Sequence, residues 1–313
     1  MKHMERPPQG MDWRGWEAWD GPDTDFPDVR NSSYMTDFLK KEHDKPFFAA
    51  MGIYRPHAPY TVPARFYDMY NTKINLPEIR EDDLEDLPQY ALENFYPPVC
   101  DVRNELEQWK NDGTWENLVK AYLASVTFAD EIVGRLLDAL ESSPNADNTI
   151  VILVGDNGFH NGQKFRFSKM ALWREACHVP MIVSVPGNSP AEVDAPVSLL
   201  DLYPMLCSLC SLPQVSGLQG NDISVLVNNP DTEWNRPCLS NYIRGNCTVH
   251  YKNWNYIRYK DGSEELYDIS ADENEYDNLA GRKEYREMMD MLAEYIPDTW
   301  TAPLPDTGKS KCK

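Results

Sequence analysis

No stretch of the 313 residues approaches the ~20 consecutive apolar positions of a membrane-spanning helix, which excludes such a span within them. The first residues, Met1-Lys2-His3-Met4-Glu5-Arg6-Pro7-Pro8, lack the apolar core of a signal peptide, so targeting leaves the compartment unread. Cysteine is sparse and odd in number at seven, so at least one thiol stays free or pairs between chains and a dense disulfide framework does not fit. Basic residues are also short: 30 Lys and Arg stand against 50 Asp and Glu, a net charge of −20. Phosphate neutralisation needs a basic face and none is evident, so nucleic acid is excluded as a partner. What is present is a chain with 42% hydrophobic and 12% aromatic residues, enough to bury a large core in about two domains.

Periodicity gives the organisation. Val119, Tyr122, Val126, Ala129, Val133, Leu136, Leu137 and Leu140 recur at helical spacing, and Ser142-Ser143-Pro144 ends the helix. The aliphatic run at 150–154 reads as a strand, a helical segment covers 170–176, and a second apolar strand follows at 179–185, the succession of an α/β sheet. After about Leu226 the texture changes. Tyr, Trp and Asn become dense, and Asp261-Gly262 between strand-like runs at 256–259 and 265–269 predicts a hairpin. A closing helix over 283–296 carries Tyr285, Met288, Met289, Met291, Leu292 and Tyr295 mostly on one face. The expected division is therefore 1–226 and 227–313. Cys207-Ser208-Leu209-Cys210 falls inside a helical apolar pattern and reads as packing, with no second pair at zinc spacing. The acidic run Glu81-Asp82-Asp83-Leu84-Glu85-Asp86 reads as a solvated face.

The most informative feature is where the run at 150–154 stops, at Gly155-Asp156-Asn157-Gly158-Phe159-His160. Four of its five aliphatic residues are β-branched, as in a strand covered on both faces, and such a strand's end opens into a ligand crevice. Asp156 offers a carboxylate and Asn157 a carbonyl oxygen, hard donors suited to calcium or, second, magnesium. Gly158 permits a tight turn or a close backbone approach. An ordinary Asp-Asn-Gly turn is the competing reading.

Four further segments carry a resemblance. Gly162-Gln163-Lys164-Phe165-Arg166-Phe167-Ser168-Lys169 leads to the Val179-Pro180 strand. Upstream, an apolar run at 46–53 ends in Tyr54-Arg55-Pro56-His57-Ala58-Pro59-Tyr60, again a strand delivering polar groups. Downstream come Asp201-Leu202-Tyr203-Pro204 and the motif Glu265-Leu266-Tyr267-Asp268 with Asn278-Leu279-Ala280. In this order, over residues 20–281, the chain resembles a type I sulfatase of the alkaline phosphatase superfamily, most like the iduronate-2-sulfatase and choline-sulfatase branch. Gln163 stands where the family usually has Glu, and Phe167 where it has Trp.

The resemblance implies a partial alkaline-phosphatase-like α/β/α sandwich with a small antiparallel C-terminal subdomain, and hydrolysis of a sulfate ester on a carbohydrate or small molecule. It places sulfate contact or leaving-group protonation on His57, charge neutralisation on Lys169, and calcium on Asp156 and Asn157. Arg55, His160 and Lys164 are assigned to the substrate pocket by position alone, and for Lys164 a plain surface lysine is the competing reading. In the family a formylglycine made from Cys or Ser in Cys/Ser-x-Pro-x-Arg attacks sulfur, and no such motif exists here: Cys100 is followed by Asp101-Val102-Arg103. The family's paired N-terminal metal aspartates are also unmatched, since Asp25 and Asp28 follow no apolar strand. The chain thus reads as the C-terminal portion of a sulfatase, with weak calcium affinity of its own and a sheet edge open to self-association. A non-catalytic remnant and a phosphodiester or phosphonate hydrolase are the alternatives. Such sulfatases are often periplasmic, secreted or lysosomal. The triplets at Asn31 and Asn246 match glycosylation acceptors, which carry meaning only on a secretory route.

Overall fold

A computed structural model describes residues 15–98 and 100–302. They form two compact units, one from the chain up to Glu78 with Arg103–Val151, the other from Ile79–Val102 with the chain from Ile152 onward.

In the first unit, β1 (Trp16–Trp19) runs parallel to β2 (Tyr60–Pro63), with Trp16 opposite Tyr60. Helix Pro27–Leu39 begins with proline in its first turn, where the missing N–H costs nothing. Helix Thr114–Glu141 starts after Gly113, whose φ of 77° turns the chain out of the preceding helix Leu106–Asp112. Val119 and Leu140 of the aliphatic set read from the sequence are buried, together with Leu118, Ala121, Ala124, Ser125, Phe128 and Ile132, whereas Val126 and Leu137 are exposed. The small side chains Ala121, Ala124 and Ser125 sit on the buried face, and the Ser125 hydroxyl is satisfied by the Ala121 carbonyl at 2.8 Å. Phe26, Val29, Val62 and Phe66 close this core, with Phe26 edge-on to Phe128 at 5.1 Å. The run at 46–53, expected as a strand, has no regular secondary structure, and Phe48 is 81% exposed. A strand is defined by the partner that takes its backbone groups, and among the described residues this run has none.

In the second unit, which the chain re-enters at Ile152, β3 (Val151–Val154) pairs with one strand among the described residues. β4 (His160–Asn161) and β5 (Phe167–Ser168) form a short antiparallel hairpin, and β6 (Met181–Ser184) is the partner of β3. The expected burial of β3 on both faces is not met: Leu153 and Val154 are exposed, because β6 and its neighbours cover only part of a two-stranded sheet. An antiparallel sheet follows, β7 (Cys238–Asn241), β8 (Cys247–Tyr251), β9 (Trp254–Arg258) and β10 (Glu264–Asp268), in the order β10-β9-β8-β7. Gly262, at φ 90°, makes the expected hairpin turn and donates its N–H to the Tyr259 carbonyl. The closing helix Arg286–Ala293 lays Met289 and Leu292 on Val249, Tyr256 and Leu266. A second core, around Phe95, Leu172, Trp173, Tyr259 and Tyr267, supports the segment that follows β4.

Candidate active site

The two units carry different parts of the expected site. In the first, Asp28 is 2% exposed and accepts the N–H of Tyr54 at 2.7 Å and of Arg55 at 3.4 Å. That buried carboxylate fixes the loop after the unpaired run, a role hinted at only by an acid in a helix's first turn. Arg55 is drawn inside: Nε donates to the Thr61 carbonyl at 2.9 Å and the guanidinium lies 5.8 Å from Phe26 and 5.0 Å from Tyr54. Burial lowers its pKa, and the Asp28 charge opposes the shift. His57, two residues on, stays exposed. Its Nδ1 lies 2.6 Å from the Ala58 carbonyl, which selects the tautomer protonated at Nδ1 and leaves a lone pair on Nε2.

In the second unit, β3 ends at Gly155, whose N–H donates to the Pro180 carbonyl at 3.1 Å, and Asp156 emerges exposed. One Asp156 oxygen accepts the Asn157 N–H at 3.0 Å; the Asn157 amide nitrogen donates to the Gly158 carbonyl at 2.9 Å, so its Oδ1 is the end left to a ligand. Gly158 is there for space: a Cβ would come 2.1 Å from the Glu175 carbonyl oxygen, while its N–H binds the Ala176 carbonyl at 2.9 Å. Asp156 and Asn157 are right in kind for a hard cation and short in number. Among the described residues no three or more His, Cys, Asp or Glu side chains converge on a metal position.

Lys169 follows β5 directly and is half-buried, with no carboxylate in ion-pair range among the described residues. The hairpin that positions it pairs His160 with Ser168. His160 itself is fully buried, Nδ1 3.2 Å from the Ser168 carbonyl and its ring edge-on to Trp173 at 6.1 Å. Burial, reinforced by Arg166 and Lys164, drives its pKa well below the ordinary range, so it is neutral.

Lys164 is not a surface lysine. It is 2% exposed, at φ 51°, and Nζ donates to Asp83 at 2.9 Å and to the Glu275 carbonyl at 2.5 Å, 5.5 Å from Trp173 and 5.4 Å from Tyr267. Asp83, read as solvated, is therefore interior; burial raises its pKa and Lys164 pulls it back. Two more carboxylates join it. Glu265 accepts from Trp173 Nε1 at 2.8 Å, Tyr259 at 2.6 Å and Tyr267 at 2.7 Å, and Glu275 accepts from the Arg174 N–H at 2.7 Å and from Asn255. Burial pushes Glu275 up to about 7. The sequence marks Lys164 and the Glu265 motif separately but not their convergence with Asp83 and Glu275, because charges far apart in the chain read as surface.

The sulfatase family model matches residues 19–211, and the C-terminal model of N-sulphoglucosamine sulphohydrolase matches 162–301. A sulfatase of Formosa agariphila is 34% identical over 289 residues, spanning 91% of this chain and 56% of the relative. The choline-sulfatase of Rhizobium meliloti is 28% identical over 77% of this chain and 48% of its own length. The chain thus spans about half the length of these relatives. The crystal structure of a phosphonate monoester hydrolase of Agrobacterium radiobacter superposes with a TM-score of 0.73 at 19% identity, over 92% of this chain and 64% of that one, a likeness of fold. With well over half of its residues matched by the family model, the chain belongs to the sulfatase family, the type I sulfatases of the alkaline phosphatase superfamily.

Proposed function

We propose that the protein hydrolyses sulfate esters of a carbohydrate or small molecule. The observation that carries this reading is the uncommitted ammonium of Lys169, held by a hairpin of the same unit that presents Asp156 and Asn157. The relatives' sulfatase and choline-sulfatase names supply the substrate class.

Charge management follows from the residues. Transfer of a sulfuryl group builds negative charge on its oxygens and on the departing alkoxide. A cation such as Lys169, whose backbone the hairpin positions and whose ammonium has no carboxylate in ion-pair range among the described residues, neutralises that charge. His57 holds its ring by Nδ1, so Nε2 is the nitrogen that donates to sulfate or protonates the leaving oxygen once charged. Asp156 and Asn157 would hold a hard cation, calcium before magnesium, which supplies Lewis-acid polarisation of sulfate oxygens. The Cys/Ser-x-Pro-x-Arg motif is not in these residues, so no nucleophilic step is assigned to them.

The test is turnover of 4-nitrophenyl sulfate by the complete gene product. Lys169→Ala is expected to lower kcat by about 10²–10³ with the thermal melt unchanged. The fold likeness to a phosphonate monoester hydrolase favours one second reading, tested by the matched phenyl phosphonate. Faster turnover of that ester would replace the first reading, and turnover of neither would leave a non-catalytic sulfatase relative.

A further inference from the structure

A cleft of about 390 Å³ opens beside the antiparallel sheet, bounded by the turn before β8, the end of β9 and the segment after the closing helix. Its lining contains Arg244, Arg258 and Lys260 against a single carboxylate, Asp298, with Ile296 and Trp300 as the apolar wall. In a chain with 30 basic and 50 acidic residues, three cations to one acid runs against the average. These cations are not spent on ion pairs. None of the three has a carboxylate within 4.0 Å among the described residues, and Glu264, the acid whose field Arg258 feels, is already held by Arg286 at 2.7 Å.

The cleft is also built. Asn246, fully buried, donates to the Tyr242 and Ile243 carbonyls and accepts the Lys260 N–H at 2.8 Å, clamping the turn to the strand end. Ile243 is forced to φ 58°, an unfavourable conformation for a β-branched residue. Gly245, at φ 94°, makes room for the lysine stem: a Cβ there would meet Lys260 Cγ at 3.0 Å. Arg244 donates to the Trp300 carbonyl at 2.7 Å, fixing the third wall and leaving its other N–H groups to a ligand.

We infer that this cleft binds an anionic saccharide unit, its sulfate or carboxylate oxygens taken by Arg244, Arg258 and Lys260 and its ring lying against Trp300. Guanidinium forks suit planar or tetrahedral oxyanions, and an indole offers an apolar face to a sugar ring. A duplex or single-stranded nucleic acid is disfavoured by the −20 charge around a cleft of this size. The choice of sulfate over carboxylate rests on the proposed function; the site itself does not.

Binding of a dextran sulfate oligosaccharide to the full chain is the measurement, with plain dextran and oligogalacturonate as the other arms. The sulfated probe is expected to bind with an affinity that falls as salt rises, and plain dextran not to bind. The pair Arg258→Gln with Lys260→Gln should weaken binding at least about tenfold, and Trp300→Ala by about three- to tenfold, with unchanged melts. Lys260→Glu serves as a second, single-site variant with the same expectation. Lys169→Ala should leave this binding intact, which separates the cleft from the candidate active site. Equal binding by wild type and both charge variants, or loss of binding only in Lys169→Ala, would overturn the inference. Oligogalacturonate binding alone would keep the cleft as an acidic-sugar site while removing the sulfate assignment.

Discussion

Glu275 has nowhere to put its charge except among Asn255, the Arg174 N–H and the field of Lys164. Its carboxyl titrates at about 7 in the folded chain against an ordinary 4.5 in the unfolded one. The folded state therefore holds the proton more tightly. The associated stability is fully present below the unfolded value and is lost as pH rises from 4.5 through about 7. Over that window the folded chain is predicted to lose up to about 3 kcal/mol from this group, and Glu275→Gln to flatten the pH profile of the urea midpoint. Lys164 makes a complementary case. Lys164→Met strands the Asp83 carboxylate in the interior and is predicted to cost about 3–5 kcal/mol by chemical denaturation, most of it recovered when Asp83→Leu is added. The same burial decides Asn246, whose side chain is engaged on both ends, so the acceptor triplet there offers no accessible amide for a glycan.

Among the elements, the end of β3 shows how two pieces of secondary structure set a residue. Helix Arg174–Cys177 brings the Glu175 carbonyl so close that only glycine fits at 158, and the Gly158 N–H on the Ala176 carbonyl ties down the turn that follows Asp156 and Asn157. Gly158→Ala is predicted to destabilise the chain by about 1–3 kcal/mol, read as a shift in denaturant midpoint. The need for glycine was visible in the sequence, though its cause was not, since no string of letters shows which carbonyl will arrive. The hairpin at Asp261-Gly262 was fully legible because turn chemistry is local. So were the closing helix and the long helix, both periodic. The buried stripe of the long helix was misjudged because hydrophobicity favours Val126 and Leu137, whereas packing chose Ala121, Ala124 and Ser125. The run at 46–53 misled for the opposite reason: its composition is strand-like, and pairing is a property of two segments. His57, Asp156, Asn157 and Lys169 are the candidates that the motifs supply. The buried roles of Asp28, Glu265 and Glu275 carry no mark in the sequence, because their work is to be hydrogen-bonded inside.

For the molecule as a whole, the open sheet and the two oxygen donors proposed for a cation at the end of β3 give linked expectations. Leu153, Val154 and Ile182 lie exposed on β3 and β6, at 36%, 37% and 57%, in a sheet of two strands. Apolar strands with unpaired edges recruit other strands. Sedimentation of the 313-residue chain is therefore predicted to show concentration-dependent association, and a monomer at all concentrations would refute this. With two oxygen donors in place, calcium should bind more weakly than about 0.1 mM by calorimetry. Tight binding abolished by Asp156→Ala would show that the chain completes the position from residues of its own. The route of the chain through its two units has a consequence for how the protein is made. Ile79–Val102 belongs to the second unit yet is translated between the two halves of the first. Asp83 must wait 81 positions for Lys164, and Arg80 waits 197 for Asp277. At ribosomal speeds the latter is roughly 10–40 s, during which Leu87, Phe95 and Tyr96 have no finished core to enter. The segment 79–102, which the second unit needs for its core, is exposed on the ribosome to chaperones and proteases until that unit's last strands arrive.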